Sequence, residues 1–257
     1  MNTEKLIEQL NAEKKEARLA ALRKLAALTK AGKLPEPQKT NFVNNHIHTT
    51  YSFSPYSPTK AVYMAWQNGL ATAGIMDHDS LSGAKEFIEA AEIVGLPVTV
   101  GMECRASMIH SELIARRINN PDQKSVAYVA LHGIPHQNID LLNNFFEYYR
   151  IKRGERNRKM CERITELVAP YGLSLDYEKD VLPLSMAKEG GSVTERHILF
   201  GLTKKITALY KTPDAVLRFL TEDMGIAVSE KVRKQITDTN PAYYEYDILG
   251  ALKSNLV

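Results

Sequence analysis

"TAGIMDHDSLSGAKEFIEAAEIVGLPVTVGMEC", residues 72–104, decides the fold class. TAGIMDHD reads as a strand, SLSGAKEFIEAAEIVG as an amphipathic helix closed by Gly95, and LPVTVGMEC as another strand. Strand, helix and strand with short joints form the signature of a parallel βαβ unit. The same rhythm runs upstream. NFVNNHIH, residues 41–48, is a further strand, and SPTKAVYMAWQNG, residues 57–69, a further helix. Ser57 stands at its N-cap, Pro58 at its first position and Gly69 past its end. Three strands joined by two helices predict an α/β domain.

Residues 3–31 read as an N-terminal helical arm. Leu6, Ile7 and Leu10, then Leu19, Leu22, Leu25, Ala26 and Leu28, keep helical spacing, and Gly32, Pro35 and Pro37 end the run. The polar stretch Glu13 to Arg18 suggests a break. The expected division is an arm at 1–40, packed on the outside of a main domain at 41–257. Downstream, SMIHSELIARRI and SVAYVALHGI predict further strands around the polar turn NNPDQK. A long helix is expected from Ile139 to Ala169, ended by Pro170 and Gly172. Shorter helices follow near Glu195 to Ile206, Pro213 to Leu220, Glu230 to Ile236 and Ile248 to the end.

Composition narrows the function classes. A chain of 257 residues with 44% hydrophobic and 25% charged residues suits a globular protein with a sizeable core. A net charge of +3 argues neither for nucleic acid nor for a membrane surface. Cys104 and Cys161 are the only cysteines, which fits a reducing compartment without a disulfide framework. The charged N-terminus has no apolar signal core, and no apolar run nears the ~20 residues of a membrane span. A cytoplasmic location without membrane association is therefore expected. No G-x-S-x-G elbow and no G-x-x-x-x-G-K-[ST] loop occurs, which argues against a serine hydrolase and a P-loop site.

What the sequence offers instead is a set of metal-ligand residues at strand ends. The first strand ends in His46-Ile47-His48, the second in Asp77-His78-Asp79, and the third in Gly101-Met102-Glu103. Strand alternation sends His46 and His48 to one side. In parallel α/β folds ligands gather at the carboxyl ends of strands, so His78 and Glu103 arrive at the same level. Alone, an HxH pair is more often structural, and DHD can be a turn before a helix cap. Three successive ends make the joint case for metal. Imidazoles with carboxylates suit Zn, Mn or Fe rather than Ca or Mg.

HIHTTYS with SP behind it, AGIMDHDSLSGAKEF and GMEC, in that order, resemble the PHP family, named for polymerase and histidinol phosphatase. The resemblance covers about residues 41 to 206, including SVTERHILFGL. It implies a distorted seven-stranded β/α barrel carrying two or three metal ions that activate water against phosphate esters. It also implies His46 and His48 as first-motif ligands, His78 as a second-motif ligand and Glu103 as a bridging carboxylate. Asp77 is then an orienter of an imidazole or a further ligand. The implied substrate is a phosphorylated small molecule or a nucleotide, with nucleic acid less favoured by the charge.

The departures are specific. The family commonly has an aspartate where this chain has Phe53, and its later histidine and Asp-x-His motifs are not visible. No histidine follows His197. Either the chain is the N-terminal part of a longer protein, or its metal site is reduced and its barrel incomplete; the first is expected, because the chain stops in a helix without an exit signal, DILGALKSNLV. Three activities stay open: a metal-dependent phosphoesterase, a binding or regulatory module that keeps the fold without the chemistry, and a nuclease or polymerase accessory.

Further candidates are His110, His132, His136 and His197. His132 follows a strand-like run and is the best extra ligand. The family's corresponding histidine lies nearer that strand's start, where Tyr128 stands. His197, beside Arg196 at a helix start with Thr194 as a possible cap, suits either phosphate contact or a plain cap. On the long helix, Leu142, Phe145, Phe146, Tyr149, Met160, Ile164 and Leu167 share a stripe that Arg153 and Arg156 interrupt. Those arginines either meet substrate phosphate or pair with acidic residues of the domain.

Overall fold

The structure is a computed structural model that describes residues 2–120, 123–240 and 243–256. The arm is two helices, α1 (Thr3–Gln9) and α2 (Lys15–Lys30), and the break falls in the expected polar stretch. Its leucines pack inward. Leu6, Leu10, Leu19, Leu22 and Leu25 are buried in the same hydrophobic cluster as Phe87, Ala90 and Ile75. Burying each leucine contributes about 2 kcal/mol of transfer free energy. Arg18 explains the break. Its guanidinium donates to the carbonyls of Ala12 and Glu13, both at 2.7 Å, and forks onto the Glu86 carboxylate through Nε and Nη2.

Four strands among the described residues form one sheet in the order β1-β2-β3-β4. β1 (Val43–Ile47), β2 (Thr72–His78) and β3 (Val98–Ser107) are parallel, whereas β4 (Val126–His132) is antiparallel to β3. The resemblance implied seven strands. The crossovers are α3 (Pro58–Gln67) and α4 (Ala84–Val94). Ser57 caps α3 by accepting from the Lys60 amide at 3.0 Å. Gly69 and Gly95 close α3 and α4 with φ of 66° and 67°. At Gly69 a side chain would also strike the Gln38 carbonyl, so glycine is required there.

Two expectations change downstream. Residues 108–118 form turns rather than a strand, because the chain ties to itself beyond the β3–β4 pairing. The Ser125 amide donates to the Arg116 carbonyl at 2.8 Å, and Ser125 Oγ accepts from the Ala115 amide at 2.7 Å. Pro121 and Asp122 of the NNPDQK turn lie outside the described residues. The long helix is also split at Phe146 into α5 (Ile139–Phe145) and α6 (Glu147–Val168). Its apolar stripe does not stay buried: Ile164 is inside, while Phe145 is 60% exposed and Tyr149 46%.

The chain divides into two compact units, Met1–Arg150 with Met186–Ser192, and Ile151–Ser185 with Val193–Val257. The first holds the sheet. The second is helical and contains most of α6, then α7 (Glu195–Leu209), α8 (Pro213–Arg218), α9 (Glu230–Thr237) and α10 (Tyr244–Leu256). Its core includes Ile164, Ile198, Leu202, Phe219, Ile236 and Leu252. The Tyr210 ring stacks on Phe219 at 4.6 Å between centroids. No helix among the described residues is long and apolar enough to cross a membrane.

Candidate metal centre

β1 does not run evenly along β2. Val43 pairs with Thr72 and Asn44 with Ala73, yet Ile47 pairs with Ile75, so β1 carries one extra residue. Such a bulge re-aims side chains, and here it falls at Asn45 and His46. The backbone comes so close that a side chain at Gly74 would lie 2.8 Å from Asn45 Cα. Glycine in β2 is thus what lets β1 press in and swing His46 over the strand ends.

Three imidazoles meet at one carboxylate oxygen. Glu103 Oε2 lies 3.1 Å from His46 Nε2, 3.8 Å from His48 Nε2 and 3.9 Å from His78 Nδ1. The His48 ring stacks on that of His78 with centroids 4.7 Å apart, and His46 stands edge-on to His48 at 5.1 Å. Ligand atoms of His46, His48 and Glu103 all lie within 4.8 Å of one another, the spacing that one cation would draw together. The four side chains are between 20% and 46% exposed, open enough for a substrate and covered enough to limit water.

Glu103 reaches this point differently from the sequence reading. It is not at a strand end, because β3 continues to Ser107 and turns into the hairpin with β4. The strand that ends is β2. His78 pairs with Glu103, and the chain then turns sharply through Asp79, whose φ is +50°. Aspartate tolerates this left-handed region better than most residues. The Asp79 amide donates to the Glu103 carbonyl at 2.9 Å, and the Asp79 carbonyl accepts from Arg150 Nη1 at 2.9 Å.

Asp77 points to the other side of β2 and is 1% exposed. It accepts from the Thr49 amide at 2.7 Å, from Thr49 Oγ1 at 2.6 Å and from Ser52 Oγ at 2.6 Å. Burial pushes its pKa up, opposed by these hydrogen bonds. Three donors on one carboxyl group are the environment of an ionised acid. A serine hydroxyl has one proton, and Ser52 gives it to Asp77. Toward His48 Nδ1, 3.4 Å away, Ser52 is therefore an acceptor. An acceptor at that place favours the His48 tautomer with its proton on Nδ1, whose Nε2 lone pair lies on the side of Glu103. Thr49 and Ser52 were not singled out from the sequence. The signal was the run of hydroxyls, TTYS, directly behind HIH.

The other candidates sit elsewhere. His132 pairs with Gly101, two residues along β3 from Glu103, and it is exposed. Because β4 runs antiparallel, its last residue falls below the level of the cluster. Tyr128 pairs with Arg105 and accepts from Arg105 Nη2 at 2.9 Å. His110 is exposed in a turn and His136 at the start of a short 3-10 helix. Arg153, Arg156 and His197 belong to the second unit. Arg153 is partly buried on α6. Arg156 Nη1 lies 2.8 Å from Glu195 Oε1, which makes it half of an ion pair within that unit. His197 is 2% exposed, and its Nδ1 accepts from the Thr194 amide at 3.0 Å. The ring turns back to cap its own helix. Burial lowers its pKa to about 4, so it is neutral at pH 7 and a poor phosphate contact. Both cysteines are free and buried.

The family description "PHP domain" matches residues 44–215, about two thirds of the chain. The chain belongs to the PHP family. That match includes the three motifs that carry His46, His48, His78 and Glu103. A 5′-3′ exoribonuclease of Haemophilus influenzae is 36% identical to this PHP chain over 58 residues, 23% of this chain and 21% of the relative. The match thus spans about a fifth of that relative's length. Two crystal structures are also similar. One, from Bifidobacterium adolescentis and provisionally described as a metal-dependent phosphoesterase, is 24% identical with a TM-score of 0.48, covering 76% of this chain and 58% of its own. The other, an amidohydrolase of Chromobacterium violaceum with bound sulfate, is 19% identical with a TM-score of 0.48, covering 69% and 53%.

Proposed function

We propose that this PHP domain hydrolyses a phosphate ester with divalent metal held by His46, His48, His78 and Glu103. The observation that carries the reading is the convergence of three imidazoles on Glu103 Oε2, at 3.1, 3.8 and 3.9 Å. The donor set of ring nitrogens and one carboxylate fits Zn, Mn or Fe. When bound, such a metal supplies Lewis-acid polarisation of phosphoryl oxygens and a water of lowered pKa.

The chain's own residues prepare the site. Asp77, through Ser52, keeps the proton of His48 on Nδ1 and so presents Nε2. The bulge sustained by Gly74 aims His46. The Asp79 turn ends β2 where His78 faces Glu103, and its amide ties the two strands together. Under this reading the four-stranded sheet is one wall of a PHP-type barrel.

The test is metal analysis of purified protein, followed by turnover of a generic phosphomonoester with added manganese. Stoichiometric metal and metal-dependent turnover are expected, both lost in His46→Ala and Glu103→Ala. Absence of both in the wild type overturns the reading.

A nuclease is the second reading, favoured by the 36% identity over 58 residues to a 5′-3′ exoribonuclease. It predicts release of mononucleotides from the 5′ end of short single-stranded RNA, with binding that weakens as salt rises.

A further inference from the structure

The corner between α5 and α6 carries aromatic rings that the core does not use. Phe145 is 60% exposed and Tyr149 46%, although both lie beside the buried Phe146. The three rings are mutually close, with centroids 5.4 to 5.7 Å apart. Together they form one wall of a cleft of about 450 Å³ whose other wall is Arg105, Ser107 and Val126 of the β3–β4 hairpin.

This corner is fixed to the rim of the candidate metal centre. Arg150 Nη1 donates to the carbonyl of Asp79, the residue after His78, at 2.9 Å. Asn143 Oδ1 accepts from the Leu81 amide at 3.0 Å, and Arg150 Nη2 donates to the Asn143 carbonyl at 3.0 Å. On the opposite wall, Arg105 lies two residues beyond Glu103 on the same face of β3, about 7 Å along the strand. The cleft and the metal centre therefore share β3 on one side and the loop after β2 on the other.

We propose that Phe145, Phe146 and Tyr149, facing Arg105, form a shelf on which a nucleobase stacks while its phosphate lies toward Glu103. The proposal rests on the phosphoesterase reading and specifies its substrate as a nucleotide or the end of an oligonucleotide. Clustered rings opposite a guanidinium offer a base two kinds of partner: aromatic faces to stack on and a cation for its π-face or phosphate. A sugar phosphate without a base has no use for that wall. Packing alone does not account for rings left half open to water on a corner held by these three polar contacts.

The test uses the full chain in EDTA, so that binding is read without turnover, with adenosine 5′-monophosphate and ribose 5-phosphate as paired probes in equilibrium dialysis. The wild type is expected to hold adenosine 5′-monophosphate the more tightly. Tyr149→Ala and Phe145→Ala, both at exposed positions, are expected to weaken it by roughly 5- to 100-fold while ribose 5-phosphate changes less than about twofold. Equal affinity for the two probes in the wild type, or an equal loss of both in the variants, overturns the shelf. So does no measurable binding of adenosine 5′-monophosphate. Manganese-dependent turnover without base preference would refute the shelf and keep the phosphoesterase. Shelf-dependent binding without turnover of any phosphoester would do the reverse.

Discussion

Ser52 Oγ donates to Asp77 Oδ1 at 2.6 Å, joining the loop after β1 to the interior of β2. The link leaves Ser52 lone pairs for His48 Nδ1, 3.4 Å away, on the ring edge opposite Glu103. Ser52→Ala is expected to cost about 1 kcal/mol of stability, because Asp77 keeps both Thr49 bonds. Manganese or zinc affinity should fall about tenfold, since a ligand's supporting hydrogen bond is lost. Calorimetric metal titration reads this directly. Unchanged affinity would show that His48 is oriented by something else.

Gly74→Ala is predicted to disturb the candidate metal centre from a distance. The added methyl would lie 2.8 Å from Asn45 Cα and 3.0 Å from its carbonyl oxygen, both backbone atoms that move only with the strand. Overpacking of this kind costs about 1–3 kcal/mol. Here it should also lower metal affinity by displacing the bulge that aims His46. Urea unfolding and metal titration of the same variant check the pair of effects, and a stability loss with intact affinity would reject the coupling.

The Arg18–Glu86 pair separates buried from exposed electrostatics within one protein. Both side chains are under 5% exposed, and Glu86 also accepts from Thr59 Oγ1 at 2.6 Å. Arg18→Met leaves a buried carboxylate without its cation, at an expected cost of about 3–5 kcal/mol. Lys85 and Asp140 pair at 2.6 Å but are 58% and 73% exposed. Lys85→Ala should change stability by less than about 1 kcal/mol. Chemical denaturation of the two variants side by side tests the contrast.

His197 gives acid sensitivity of definite sign. Its pKa in the folded protein is about 4, against an ordinary 6.5, because burial disfavours the imidazolium. Between those values the unfolded chain binds the extra proton, so stability is complete above about pH 6.5 and declines as pH falls toward 4. The full effect is on the order of 3 kcal/mol. His197→Asn keeps an acceptor for the Thr194 amide without the titration. Unfolding free energies measured from pH 7 to 4.5 should therefore slope less steeply in the variant. Equal slopes would assign the acid sensitivity to other groups.

Local chemistry made much of the chain legible beforehand. Ser57, Pro58, Gly69 and Gly95 mark helix ends through backbone preferences that need no tertiary partner, and the structure has helices ending there. His46, His48, His78 and Glu103 could be grouped because parallel strands in register bring the same level of each strand together. The split at Phe146 was not legible, since Asn143 and Arg150 hold that corner through contacts with Leu81 and Asp79, more than sixty residues away in sequence. Arg156 was ambiguous for the same reason. Its helical face was readable, but Glu195 as its partner was not.

By itself, the sequence determined the βαβ rhythm and the family and marked His46, His48, His78 and Glu103 as candidates, all of which depend on residue type and short-range spacing. Only the tertiary structure decided that Glu103 meets the three imidazoles from mid-strand and that β4 runs antiparallel, leaving His132 below the cluster. It also decided that Asp77 is buried against Thr49 and Ser52 and that His197 caps its own helix. Those outcomes depend on a bulge, a strand direction and hydrogen bonds between remote residues, which arise when distant segments press together. No local spacing encodes them.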